Sequence, residues 1–242
     1  MTCIDKKGLV SYIYKDFKIV IGLLCDIPII IIKYIIIGLK KIRINIWDKN
    51  LHSIKRRIGL KPILLIHGYG GFNFQWFPIS WLFLKKYDLY TVQIKYHSHS
   101  SLNNIIIDDK INKIYNETGM KVNLIGHSMG GIIASKYINH PNIDKIITIA
   151  SPFRSSPLLK YFNFTNDCIN DIDINSNFLK NLHLNIKKGN KFIHCFGGEN
   201  DLYIPYPKYI PYNSYCLYNI KLAGHLNILL MPSLWEQINN II

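Results

Sequence analysis

From Pro62 onward the chain alternates short aliphatic runs with stretches whose apolar residues recur every three or four positions. "PILLI" (62–66) is bounded by Pro62 and by the glycines after His67, which marks a buried strand. "LYTVQI" (89–94), "VNLI" (122–125), "KIITIA" (145–150) and "KFIHCF" (191–196) read as further strands. Between them, Leu102, Ile106, Ile107, Ile111, Ile114 and Tyr115 fall at helical spacing. This predicts a helix over 102–118, stopped by Gly119. Residues 130–138 and 233–241 read as helices too. Strands alternating with helices imply a parallel sheet with helices on both faces, an α/β architecture. In such sheets the chemistry gathers at the carboxyl ends of the strands. No internal repeat is visible.

The first quarter is patterned differently. Ile19–Leu39 carries fourteen Ile, Leu and Val residues; as a helix it approaches the thickness of a bilayer core. Asp26 and Lys33 cancel most of that gain on an insertion scale, and Pro28 breaks or starts a helix. Asp26, Lys33 and Lys40 share one helical stripe, so the segment spans, lies kinked in the headgroup region, or packs on the following domain as a helical hairpin. We read residues 1–61 as a basic, aliphatic membrane-associated segment with its linker, and 62–242 as the domain that holds the alternating strands and helices.

Composition sharpens this division. Of the formal net charge of +14, residues 1–61 carry +9. Positive charge beside long aliphatic runs points to an anionic membrane surface rather than to nucleic acid, for which no accompanying motif is present. The five cysteines are odd in number and never spaced as CxxC. This argues against a disulfide framework or zinc site and for a cytosolic setting of the domain after Pro62. No signal-peptide cleavage pattern follows the apolar run.

The chemistry lies in "GHSMG" (126–130), a G-x-S-x-G pattern between a strand and a helix. Gly126 and Gly130 allow the close backbone approach that displays Ser128 on a strained turn. "HGYGG" (67–71) follows the first strand. Its glycines Gly68, Gly70 and Gly71 suit a backbone that aims an N–H at a developing oxyanion, with Tyr69 and Met129 as the donors. His67 and His127 are read as braces for the two glycine turns. A hydroxyl nucleophile needs a base and an acid, arriving in the order Ser, Asp/Glu, His. His225 in "GHLNILL" is the base, and Asp201 in "GGENDLYIP" the acid, with Glu199 as the alternative. His97 and His99 have no further ligand nearby, and no metal is expected.

With "PILLIHGYGG", "VNLIGHSMGG", "ITIASPFRSSPL", "GGENDLYIP" and "GHLNILL" in this order, the chain from Pro62 onward resembles the α/β-hydrolase superfamily, in particular its small lipases and esterases of the triacylglycerol-lipase type. The resemblance implies a near-minimal α/β-hydrolase fold that omits the full fold's first antiparallel strands unless Lys41–Trp47 supplies one, and the aliphatic pattern sets an N-terminal hydrophobic helical segment before it. The resemblance also implies two-step acyl transfer through Ser128, His225 and Asp201, without a cofactor. "INDIDINSNFLKNL" (169–182) is similar to the segment that such lipases carry into a cap, which implies a short cap over about 152–190 in a catalytic domain spanning 62–242. "SPFRSS" departs from the family in lacking its His and Gly. Phe153, Leu158, Leu159, Phe162 and Phe178 are candidates for a greasy acyl pocket or lid. Together with the basic N-terminus they favour a lipid ester, handled by a monomer at a membrane. The same triad serves a thioesterase, an acyltransferase or a deacylase of lipid-linked substrates. A non-catalytic membrane-tethered module is the reading from another class.

Overall fold

The computed structural model describes Asp26 and residues 59–76, 83, 86–157, 167–189, 191–213 and 215–242. The rest of the N-terminal segment, Lys41–Trp47 included, lies outside the described residues, as do the expected pocket residues Leu158, Leu159 and Phe162. Six strands form one sheet: β1 (Pro62–Ile66), β2 (Asp88–Val92), β3 (Val122–His127), β4 (Ile143–Ile149), β5 (Ile193–Gly198) and β6 (Tyr215–Ile220). Their order is β2-β1-β3-β4-β5-β6, and every pairing is parallel. All six carboxyl ends therefore meet at one edge.

The central strands β1 and β3 are buried along their whole length because both faces are covered. Alternate side chains feed two separate cores. Leu64, Ile66, Leu124 and Ile146 join Ile111 and Ile114 of helix α1 (Asp108–Thr118) and Ile132 and Ile133 of helix α2 (Met129–Ser135). Ile63, Leu65, Ile125 and Ile147 point the other way, onto Trp76, Phe83 and Leu234, Trp235 and Ile238 of the C-terminal helix. A one-residue slip in any of these strands would exchange the two sets, so the register is strongly specified.

Several elements differ from the sequence reading. The helix expected over 102–118 begins only at Asp108. Ser101 accepts a hydrogen bond from the Asn103 N–H and opens a 3-10 turn, and Ile106 is left exposed. Lys136 Nζ then donates to the carbonyls of Leu102, Asn103 and Ile105 at 2.9–3.0 Å, holding this stretch out of the helix. Gly119 does end the helix, in the left-handed region at φ 70°. Strand β6 was not anticipated. Helix α3 (Asn177–Lys188), capped by the Ser176 hydroxyl on the Leu179 N–H, falls in the expected cap. It nevertheless sends Phe178, Leu179, Leu182 and Ile186 into the first core, so this part of the segment is a core layer. Helix α4 (Pro232–Ile241) starts with Pro232 in its first turn, one residue ahead of the expected boundary. Among the described residues, no helix is long and apolar enough to cross a membrane.

Candidate active site

The site is assembled from the loops that leave β1, β3, β5 and β6 at their shared edge. β3 ends in His127, and Ser128 turns the chain into α2 at φ 53°, ψ −126°, a conformation that L-residues avoid. The turn is held by the Ser128 N–H on the Ile149 carbonyl at 2.8 Å. Its glycines are required by contact. A Cβ on Gly126 would lie 2.4 Å from the Gly130 backbone, and one on Gly130 2.2 Å from the Ile66 carbonyl oxygen. Met129 is the first residue of α2, so its N–H has no acceptor within the helix.

His225, in the loop after β6, reaches Ser128 Oγ with Nε2 at 3.2 Å. Its other ring nitrogen, Nδ1, lies 2.8 Å from Asp201 Oδ2. That hydrogen bond places the Nδ1 proton toward Asp201 and leaves Nε2 as the acceptor for the hydroxyl. Asp201 is itself fixed: Oδ1 accepts from the N–H groups of Tyr203 and Ile204, each at 2.8 Å. The Asn200 N–H on the Ala223 carbonyl at 2.8 Å ties the two loops together. Glu199, by contrast, is exposed. Burial disfavours the His225 imidazolium, but the charge and hydrogen bond of Asp201, with a further contribution from the Asp26 charge, outweigh it and raise the pKa.

The glycine loop after β1 runs beside Ser128. A Cβ on Gly68 would stand 2.8 Å from Ser128 Cβ. His67 braces this loop, as its sequence position suggested. Nε2 accepts from the Ile94 N–H at 2.9 Å, so Nδ1 carries the proton and donates to the Gly68 carbonyl at 2.8 Å. The Tyr96 hydroxyl donates to the His67 carbonyl at 2.6 Å. Gly70 takes φ 60°, and the Gly71 N–H closes the turn on the Gly68 carbonyl at 2.9 Å. The Tyr69 hydroxyl and His97 Nδ1 share a hydrogen bond of 3.0 Å. His127 reaches further than the turn it was expected to brace: Nε2 donates to the His225 carbonyl at 2.9 Å.

Phe153 and Phe178 are buried in the core cluster that also holds Met129. In the turn "SPFRSS", Arg154 ties the chain to the loop at 210–212. Its Nε donates to the Ile210 carbonyl at 2.9 Å, and its guanidinium covers the Tyr212 ring at 4.6 Å. A contact that sequence reasoning missed is made by Asp26. Read there as a charge opposing membrane insertion, it is buried against the His225 loop and accepts hydrogen bonds from three of its N–H groups. No local signal links positions so far apart.

A hydroxyl on a strained turn, an imidazole oriented toward it and a carboxylate behind the imidazole can together move a proton off the serine and stabilise the resulting cation. Comparison with known proteins agrees with this architecture. The profile of a PGAP1-like alpha/beta domain matches residues 96–206. The mature form of the Bacillus licheniformis lipase BlEst2 superposes with a TM-score of 0.61 at 18% identity, covering 77% of this chain and 93% of that one. The Paleococcus ferrophilus monoacylglycerol lipase gives a TM-score of 0.54 at 16% identity, covering 76% and 94%. The naproxen esterase of Bacillus subtilis gives 0.52 at 16%, covering 77% and 85%. No curated protein matches the chain significantly by sequence. At these identities the likeness establishes the fold, a parallel six-stranded α/β-hydrolase sheet.

Proposed function

We propose that this chain, a member of the α/β-hydrolase superfamily, is a serine hydrolase that cleaves carboxylic esters through an acyl-enzyme on Ser128. The observation that carries the reading is the line from Ser128 Oγ to His225 Nε2 at 3.2 Å and from His225 Nδ1 to Asp201 Oδ2 at 2.8 Å. Ser128 Oγ attacks the ester carbonyl while His225 Nε2 takes its proton, and Asp201 holds the imidazolium. The N–H groups of Tyr69 and Met129 receive the oxyanion of the tetrahedral intermediate. Collapse expels the alcohol, protonated by His225. Water, deprotonated by the same imidazole, then releases the acid and restores Ser128. No step calls for a cofactor.

The substrate class we assign is a lipid ester met at a membrane surface. Its support is the segment before Pro62, where long aliphatic runs and a net charge of +9 stand together. Because Asp26 is buried against the His225 loop, we place the membrane contact at the surface of the bilayer, not in a span running through Asp26.

The test is hydrolysis of chromogenic esters of short, medium and long acyl chains, with and without anionic vesicles, by wild type and Ser128→Ala. Turnover that rises with chain length and with vesicles, and is lost in the variant, supports the proposal. Turnover of short soluble esters alone removes the lipid assignment. Absence of turnover by folded wild type on every ester sinks the esterase reading and moves the search to thioesters and lipid-linked acyl groups.

A further inference from the structure

Asp26 precedes His225 by 199 positions, yet its side chain is 3% exposed and sits under the loop that carries the imidazole. Oδ2 accepts from the His225 N–H at 3.1 Å, and Oδ1 accepts from Leu226 at 3.0 Å and Asn227 at 3.1 Å. Three donors on one buried carboxylate is the pattern of an anion held by design of the backbone. Gly224 leaves room for it, since a Cβ there would stand 3.1 Å from Oδ2. The main chain of His225 is thus gripped on both sides, its N–H by Asp26 and its carbonyl by His127 Nε2 at 2.9 Å.

We infer that Asp26 is a positioning residue for His225: its carboxylate fixes the loop from which the imidazole reaches Ser128. This rests on the reading of His225 as the base. The 3.2 Å separation of Nε2 and Ser128 Oγ depends on where residues 224–227 run, and in the described residues those N–H groups are pinned by Asp26. Asp26 also places a second negative charge beside a ring that already faces Asp201. Among the described residues, the other groups facing that ring are Ser128, the His127 ring at 5.0 Å and the Tyr203 ring at 5.1 Å. None of these brings a third anion at neutral pH. Burial, then Asp26 and Asp201, push the Tyr203 hydroxyl pKa up, keeping it neutral. The segment before Pro62 thereby contributes to the chemistry of the domain behind it, besides any contact it makes with lipid.

The experiment compares wild type with Asp26→Asn and Asp26→Glu in the full chain. The readouts are kcat and KM across pH, and NMR of the His225 ring and the 225–227 amides. Asp26→Asn keeps the size but turns an NH2 group toward one of the three N–H donors. We expect kcat to fall about 10- to 100-fold with KM little changed, as for a misplaced catalytic group. The acidic limb of kcat/KM and the His225 titration should both move to lower pH, because an anion favouring the imidazolium is gone. Asp26→Glu should return the limb toward its wild-type position while leaving kcat depressed, which separates charge from geometry. In wild type the amides of His225, Leu226 and Asn227 should exchange slowly with solvent. Their free exchange in wild type, or wild-type kcat together with an unmoved titration in a folded Asp26→Asn, overturns the inference. If that variant does not fold, wild-type amide exchange decides alone. A wild type without hydrolase activity whose His225 titration still moves with Asp26→Asn supports the contact and counts against the hydrolase reading only.

Discussion

Gly68 runs so close to Ser128 that a methyl group on the glycine would sit 2.8 Å from Ser128 Cβ and 3.1 Å from the His127 carbonyl oxygen. Neither neighbour can yield cheaply. The Ser128 backbone is already at φ 53°, and His127 ends a fully buried strand. Gly68→Ala should therefore displace the loop or the nucleophile rather than be absorbed. We expect a loss of about 100-fold in kcat/KM with a folded protein, read from ester kinetics beside a thermal melt.

Asp201→Asn should lower kcat by about 10,000-fold, since the amide favours the wrong imidazole tautomer and cannot stabilise the cation. Glu199→Gln should stay within about twofold, because its side chain is exposed and the place beside His225 Nδ1 is taken by Asp201. Equal losses in the two variants would remove Asp201 from its assigned role.

The raised pKa of His225 carries a sign for activity. Proton abstraction needs the neutral ring, so kcat/KM should fall as pH drops, with a midpoint above the ordinary histidine value of 6.5. For stability the sign is opposite. A folded-state pKa above the unfolded one contributes stability that is fully present below about pH 6.5 and is lost as pH rises through the folded value. A pH–rate profile and pH-dependent melts of wild type and His225→Gln check both directions.

Lys136 pins the Leu102–Ile105 stretch through three carbonyls. Burial lowers its pKa to about 8, so the ammonium is held at a cost that those acceptors offset. Lys136→Met removes all three bonds and leaves carbonyls to find new partners. We expect a loss of about 1–3 kcal/mol, a drop of several degrees in Tm, and little change in KM. Calorimetry and kinetics on the same preparation test this.

The sheet was legible because its central strands are buried on both faces, which leaves continuous aliphatic runs such as "PILLI" and "VNLI". β6 was not, because it lies at the edge of the sheet. Tyr215, Leu217 and Asn219 are exposed there, and "YCLYNI" lacks the aliphatic density of a covered strand. The start of α1 was misjudged for another reason. Leu102, Ile105 and Ile107 are buried as a helix would bury them, but the Ser101 hydroxyl and Lys136 offer their backbone a different set of partners.

At the site, the residue types and their order along the chain were fixed by local requirements that sequence displays: glycines where backbones touch, a serine on the turn between strand and helix, a carboxylate and a histidine after later strands. The sequence order favoured Asp201 over Glu199, but the two lie only two positions apart, and which of them meets His225 Nδ1 is decided by the loops themselves. Phe153 and Phe178, expected from composition at a pocket or lid, are buried in the cluster that holds Met129, and only the packed layers show which neighbours such rings meet. Asp26 marks the limit most clearly. Its sequence surroundings describe a charge in an aliphatic run, while its partners are three N–H groups about 200 positions later. A periodicity records neighbours within a few residues. Which distant backbone donors a buried carboxylate will meet is decided only when the chain closes on itself.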